Sequence, residues 1–167
     1  MKWYRVLPAC IIYLFAGCSN SHDISVVTGF EAEKYMGKWY EIARLPNWFE
    51  SGMTNVSAEY LLSEDGEISV YNRGTKYGKE RFIAGKARFR NSRSTGELEV
   101  SFFGPFYSGY RIIKLPPDYR YSIVVGDNRD FLWILGRETR LDPADMDEIM
   151  VFLREQKFAV EKLIYSN

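Results

Sequence analysis

Histidine and cysteine are scarce in this chain of 167 residues, which contains one histidine and two cysteines. So few of these residues leave little material for a zinc site or for a catalytic pair built on histidine. A basic excess is also absent, because 22 Lys and Arg residues are balanced by 22 Asp and Glu residues. We therefore expect no metal, no cofactor and no nucleic-acid partner, since a nucleic-acid backbone requires a basic surface.

Aromatic residues, in contrast, are abundant, at 16% of the chain, and hydrophobic residues make up 46%. This balance is typical of a globular chain and not of a disordered one, and the length allows one domain. The aromatic content favours β-structure or an apolar binding surface.

The first 17 residues have the composition of a cleaved signal segment. Lys2 and Arg5 accompany a short apolar stretch at 6–15, which is too short to span a bilayer comfortably. The run Phe15-Ala16-Gly17-Cys18 resembles the lipobox of bacterial lipoproteins, in which the cysteine is acylated. A plain secretory signal, with Cys18 as a bystander, is the alternative.

The lipobox resemblance implies that residues 1–17 are removed and that acylated Cys18 anchors the mature chain to a membrane. Ser19 stands where an Asp would favour the inner membrane, so we expect the outer membrane, with the protein facing the periplasm. Residues 18–28 are mostly polar and small and predict a tether, which leaves 29–167 as the folded domain.

Short segments of alternating polar and apolar residues begin at Trp39 and are separated by turn clusters. Strands are predicted at 39–45, 55–62, 67–73, 80–89, 96–103, 108–115, 119–126 and 131–137. Eight strands with short connections predict a sandwich or a closed barrel.

The pattern changes to helical spacing near Asp142, which is a good N-cap and precedes Pro143. Apolar residues between Met146 and Leu153 then form one stripe, which we expect to pack on the outside of the sheet. A last short strand is predicted at 160–165.

Three motifs occur in the right order to suggest a family. Gly37 and Trp39 open the first strand, Asp118 and Tyr119 lie between the sixth and seventh strands, and Arg137 ends the eighth. Together they resemble the motifs of the lipocalin family. The stretches GKWYEIARLP, VSFFGPFY and DFLWILGR are similar to the bacterial outer-membrane lipoproteins of its apolipoprotein D-like branch.

The resemblance implies an all-β fold: an eight-stranded antiparallel up-and-down barrel with one C-terminal helix packed on the outside. Trp39 would close one end of this barrel, with the Arg137 guanidinium over its indole, a contact of about 0.5–2 kcal/mol. Strand alternation places Glu41 and Ala43 on the same face as Trp39, and Arg137 is then a candidate partner for Glu41. Pro117 departs from the family's threonine and removes a hydroxyl and an N–H from that turn.

Five residues are predicted to line the barrel interior and bind a ligand. The resemblance implies Tyr60, Asn72 and Trp133, and strand alternation adds Phe102 and Tyr110. This lining is apolar with two hydroxyls and one amide, which suits an acyl chain with a polar end.

We therefore expect a membrane-anchored protein that stores or transports fatty acids or lysophospholipids, without catalysis. One alternative is a lipocalin-type enzyme that acts on a bound lipid, for which Glu41 is the only interior acid. A haem carrier would depend on Tyr60 or Tyr110 as the axial ligand. A structural envelope lipoprotein with a filled barrel is the remaining alternative.

Two loops expected at the open end of the barrel are unusually apolar. They contain Pro46-Asn47-Trp48-Phe49 and Phe103-Gly104-Pro105-Phe106-Tyr107. Such loops predict contact with lipid, with an incoming ligand or with a second copy of the chain, so a homodimer is one expected state.

Overall fold

The computed structural model describes residues 21–166. The strands are β1 (Gly37–Arg44), β2 (Met53–Leu62), β3 (Ile68–Lys76), β4 (Lys79–Phe89), β5 (Glu97–Phe103), β6 (Phe106–Lys114), β7 (Tyr121–Val125), β8 (Leu132–Gly136) and β9 (Ile164–Tyr165). The helices are α1 (Ala32–Tyr35) and α2 (Pro143–Glu155), and a short 3-10 helix spans Val160–Lys162. The predicted signal segment 1–17 and Cys18 lie outside the described residues.

The first eight strands form a closed barrel in which each strand pairs antiparallel with the next along the chain. The barrel closes because β1 pairs with β2 at Trp39↔Ala58 and with β8 at Glu41↔Leu135. The predicted eight-stranded up-and-down barrel is therefore confirmed. Since the strands alternate in direction, the loops after β1, β3, β5 and β7 share one end, called the mouth here, and the other loops share the closed end.

Two apolar clusters lie on opposite sides of the barrel wall. The inner cluster surrounds Trp39 and includes Tyr60, Ile112 and Val124. The outer cluster places α2 against β7 and β8, with Ile149 and Leu153 fully buried among the outward residues of the strands. Side chains alternate across each strand, so one strand serves both clusters.

Helix α2 begins after Asp142, as the sequence predicts, although the Asp142 side chain makes no capping hydrogen bond. The acidic residue that acts in the first turn is Asp145, whose carboxylate accepts bonds of 2.6 and 2.8 Å from Arg120. None of the helices in residues 21–166 is long and apolar enough to cross a membrane.

The part of the predicted tether that the structure describes, residues 21–28, lies along the barrel. Ser21 is fully buried and donates its hydroxyl to the Gly126 carbonyl at 2.6 Å. Arg111 donates to the carbonyl oxygens of Ser21 and, at 2.8 Å, of Ile24. Val27 then bonds to the backbone of Ile112 at 2.9 Å. The folded unit therefore includes the chain from Ser21 onward. These contacts join segments that are far apart in the sequence, so the alternation of polar and apolar residues does not reveal them.

Candidate functional site

The closed end is sealed by a layered stack around Trp39, which is fully buried. The Arg137 guanidinium lies 3.9 Å from the centroid of the indole, and the centroid of the Tyr35 ring lies 4.7 Å from it. Arg137 also donates to the carbonyl oxygens of Lys34 and Met36 at 2.6 and 2.9 Å. These bonds hold the short helix α1 across the barrel end. Arg137 therefore both covers the Trp39 indole and fixes α1, and Trp39 and α1 together form the plug of the closed end.

Gly37 is required at the start of this plug. Its φ of +88° is in the left-handed region, which residues with a side chain rarely adopt. Tyr119, from the second motif, is buried nearby, and its hydroxyl accepts the Glu31 N–H at 2.9 Å. Asp118 has a local role only, because it binds Arg120 in its own turn at 2.9 Å. The three motifs thus meet at the closed end, away from the mouth.

A network of tyrosine hydroxyls forms the floor above the plug. The Tyr110 hydroxyl is the hub, at 2.7 Å from that of Tyr35 and 2.9 Å from that of Tyr60. Tyr35 also contacts the Ser122 hydroxyl at 3.1 Å. Burial raises the pKa of Tyr35 to about 12, and it also raises the pKa values of Tyr60 and Tyr110. The three phenols therefore stay neutral near pH 7 and act as hydrogen-bonding groups, not as anions.

Four of the five predicted ligand residues face the interior while remaining partly accessible. Asn72, Phe102, Tyr110 and Trp133 are half-buried, whereas Tyr60 is buried. Because an inward side chain of a closed barrel meets solvent only through the mouth, their exposure indicates an accessible upper interior. The Asn72 carbonyl oxygen is buried without a hydrogen-bond partner among the described residues.

The Phe102 ring lies over Gly85 of the neighbouring strand β4. A Cβ built on Gly85 would lie 2.6 Å from this ring, so glycine at this position makes room for the phenyl group. Because residue 85 has no side chain, the Phe102 ring packs directly on the Gly85 backbone.

The prediction that Ala43 shares the inward face of Trp39 and Glu41 is wrong, because a β-bulge interrupts β1. The register shifts between Glu41, opposite Leu135, and Ala43, opposite Ile134. Ala43 consequently joins the outer cluster, while Arg44 turns inward opposite Trp133. A bulge adds one residue to one strand and reverses the alternation beyond it, so the sequence pattern alone could not place Arg44 inside.

The bulge produces a buried charged cluster that sequence reasoning missed. Arg44 forms an ion pair with Glu41, and both side chains are at most 3% exposed. Arg44 also donates to the Glu50 backbone carbonyl at 3.0 Å, and its Nε lies 3.8 Å from the Glu50 carboxylate. Ser166, at the end of the described chain, donates to Glu41 at 2.8 Å. Arg44, and not Arg137, is therefore the partner of Glu41. A buried, unpaired Glu41 would be costly, and this cost is the one feature of the sequence that predicts a basic partner nearby.

An aromatic stack connects the mouth to this cluster. Trp48 and Phe49 lie 5.5 Å apart, Phe49 stacks on Phe131 at 6.0 Å, and Phe131 stacks on Trp133 at 6.2 Å. The Trp133 indole N–H donates to the Glu50 carboxylate at 2.9 Å. The four rings of the stack extend from the exposed Trp48 at the mouth to Trp133 inside the barrel.

The pKa of Glu41 is raised, first by burial and second by the nearby Glu50 carboxylate. A folded-state pKa above the unfolded value means that the folded state favours protonated Glu41. Its contribution to stability is therefore present below the ordinary glutamate pKa and is lost as pH rises through the raised value. The pair with Arg44 offsets this loss without removing it.

We expect Glu41→Gln to become more stable relative to the unmodified chain as pH rises from about 4 toward neutral, because glutamine cannot ionise. Urea unfolding at several pH values measures the difference. The control is Glu148→Gln: Lys114 at 2.7 Å lowers the pKa of the exposed Glu148, so that variant should lose relative stability over the same range. A pH-independent difference for Glu41→Gln would contradict the raised pKa.

Comparisons with known proteins agree with this architecture. The sequence model of the lipocalin-like domain family matches residues 30–167. The chain is 39% identical to the outer membrane lipoprotein Blc of Citrobacter freundii, with 96% of each chain covered. It is 33% identical to mouse apolipoprotein D, over 83% of this chain and 77% of that protein. The structure of insecticyanin from the tobacco hornworm superposes with a TM-score of 0.72 at 21% identity, over 87% of this chain and 84% of the other.

Proposed function

As the chain belongs to the lipocalin family, we propose that it is an envelope lipoprotein that binds one fatty acid or lysophospholipid molecule inside its barrel. The observation that carries the proposal is the accessible upper interior, where inward apolar side chains remain half-buried above a sealed floor. Preformed, mostly apolar hollows with a few polar groups are typical of small-molecule sites.

The polar groups of the interior are arranged for a ligand with one polar end. Tyr110 and Asn72 offer neutral hydrogen-bonding groups beside the apolar lining, and the Asn72 carbonyl oxygen has no partner among residues 21–166. The aromatic stack at Trp133 lies on the path from the mouth. We infer that the ligand passes this stack and places its acyl chain among Phe102, Val100 and Tyr110.

We further propose acylation of Cys18 and attachment to the outer membrane, with the domain facing the periplasm. The lipobox resemblance supports the acylation, and the name of the Citrobacter freundii relative supports the membrane. We infer storage or transport in place of catalysis, because the phenols of the interior are neutral and its two carboxylates, Glu41 and Glu50, are engaged by Arg44 and Trp133.

Titration of the delipidated protein with lysophosphatidylcholine, followed by tryptophan fluorescence, tests the proposal. We expect a saturable change, because Trp133 lies at the upper interior. A signal that never saturates would contradict lipid binding and would favour the filled, structural barrel.

A matched pair of substitutions on β2 separates binding inside the barrel from binding to its wall. Ala58 faces inward, opposite Trp39 and Asn72, whereas the next residue, Glu59, faces outward. We expect Ala58→Phe to weaken binding at least about tenfold, since it fills part of the hollow, and Glu59→Phe to leave the Kd within about twofold. Equal effects of the two variants would place the ligand outside the barrel. Thermal unfolding of both variants verifies that they fold.

A further inference from the structure

We propose that the mature protein holds its mouth against an anionic lipid bilayer, with the aromatic rim at the lipid–water interface. Here the rim is the exposed set Trp48, Phe49, Tyr77, Phe103 and Phe106. The inference rests on the proposed acylation of Cys18 and adds an orientation, an interaction surface and the kind of lipid that it contacts.

The first observation is the place where the N-terminal segment reaches the barrel end. Strand β7 runs toward the mouth, and Gly126 and Asp127 follow its last residue. Ser21 is fastened there by its hydroxyl to the Gly126 carbonyl at 2.6 Å and by its N–H to the Asp127 carbonyl at 3.2 Å. At the other end of the segment, Phe30 bonds to Ser94 in a closed-end loop at 3.0 Å. The segment therefore runs the length of the barrel, and Ser21 lies at the mouth.

The second observation is how firmly this end of the segment is held. Arg129, in the loop after β7, pairs with Asp23 at 2.7 Å and donates to the Gln156 carbonyl after α2. Arg111 donates hydrogen bonds to the Ser21 and Ile24 carbonyl oxygens. These contacts join the segment, the mouth loop and the helix, so the position of Ser21 is fixed relative to the barrel.

The length of chain beyond Ser21 sets how far the anchor can be from the mouth. Only two residues lie between Cys18 and Ser21, and the three residue steps from Cys18 to Ser21 span at most about 11 Å when fully extended. The closed end is beyond this reach, because the strands that separate the two ends have up to 11 residues. An acyl group on Cys18 therefore brings the mouth, and not the closed end, to the bilayer.

The third observation is the chemistry of the two ends. Trp48, Tyr77, Phe103 and Phe106 are between 74 and 84% exposed at the mouth. Tryptophan and tyrosine are the residues enriched at membrane–water interfaces. The closed-end turns, such as Ser63-Glu64-Asp65-Gly66 and Asn91-Ser92-Arg93-Ser94, are polar. The end nearest the anchor is thus the one whose exposed side chains suit a lipid surface.

The hairpin of β3 and β4 gives this surface a preference for anionic lipid. Arg73, Lys76, Lys79 and Arg81 flank its tip, with Glu80 as the one acidic residue among them. None of the four basic residues is ion-paired with a carboxylate of residues 21–166; Arg73 and Lys76 instead lie over the rings of Phe82 and Tyr77, at 4.8 and 5.7 Å. The acidic residues at the mouth are Asp23, Glu50, Asp127 and Asp130. Asp23 and Asp127 are paired with Arg129 and Arg90, and Glu50 accepts the Trp133 indole N–H at 2.9 Å. Each basic residue near an anionic surface strengthens binding about fivefold.

Depth-dependent fluorescence quenching of the acylated protein tests the orientation. Two exposed serines at opposite ends serve as matched label positions: Ser51→Cys at the mouth and Ser94→Cys at the closed end. Each variant carries an environment-sensitive fluorophore and is reconstituted in vesicles of phosphatidylethanolamine and phosphatidylglycerol with a spin-labelled lipid as quencher. We expect quenching at residue 51 to exceed that at residue 94 at least about threefold, and to fall when phosphatidylcholine replaces phosphatidylglycerol.

Equal quenching at the two positions, or stronger quenching at residue 94, would overturn the orientation. Weak quenching at both positions, together with a disulfide-linked dimer of the unlabelled Ser51→Cys variant after oxidation, would show that a second copy covers the mouth, and would overturn it also. The intact mass of the purified protein reports acylation separately. A mass without acyl groups overturns the proposed anchor and the orientation with it, whereas lipid binding in the barrel is measured independently by the titration above.

Discussion

Replacing Trp39 with alanine is expected to lower the free energy of unfolding by about 3–5 kcal/mol, the usual cost of removing a buried tryptophan. The indole is fully buried, its N–H donates to the Tyr35 carbonyl at 2.8 Å, and Arg137 lies 3.9 Å from its centroid. Removing it leaves a cavity at the closed end and also deprives the guanidinium of its aromatic partner. Urea unfolding monitored by circular dichroism measures the loss.

Trp48→Ala is the matched control, because this tryptophan is 83% exposed at the mouth. We expect it to change stability by no more than about 0.5 kcal/mol, as is usual for an exposed residue. A loss of less than about 1 kcal/mol in Trp39→Ala would mean that the plug contributes little and that the barrel closes by backbone pairing alone.

Arg44→Met is expected to destabilise the protein by about 3–5 kcal/mol at neutral pH, because it leaves the buried Glu41 carboxylate without its partner. The substitution also removes the hydrogen bond to the Glu50 carbonyl at 3.0 Å, which holds the mouth loop. The loss should shrink at acid pH, where Glu41 is protonated, and adding Glu41→Gln should recover part of it. Urea unfolding at neutral and acid pH measures each value.

An exposed ion pair provides the contrast for this experiment. Arg88 binds Glu99 at 2.6 Å, but its side chain is 59% exposed. Arg88→Met should therefore cost less than about 1 kcal/mol, since solvent screens such pairs. If Arg44→Met costs no more than Arg88→Met, the Glu41 pair does not behave as a buried one.

Several features of the fold could be predicted from the sequence because their patterns repeat along the chain. Alternation from Trp39 onward predicted eight strands, and α2 begins where Asp142 and Pro143 predicted it. The order of the three motifs predicted which family the chain resembles, and the family is confirmed. That the same motifs gather at the closed end, with Arg137 over Trp39, is visible only in three dimensions.

Other features depend on contacts between distant segments. Short helix α1 has four residues and is held by Arg137, about a hundred positions away, so no local signal announces it. The Tyr110 hub joins Tyr35 and Tyr60 from three separate elements. Strand alternation placed Tyr60 and Tyr110 inside but carried no information about which hydroxyls meet.

The sequence by itself determined the elements, their order and the face of most side chains, because hydrophobic periodicity is a local property that burial imposes strand by strand. The tertiary structure alone decided the partner of Glu41 and the course of residues 21–28. One bulge between Glu41 and Ala43 reversed the parity of β1 and brought Arg44 inside. Backbone carbonyls on β6 and in the loop after β7 bind the segment 21–28 along the barrel. Both outcomes follow from the need to satisfy buried charges and backbone groups across the fold, a requirement that no short window of sequence contains.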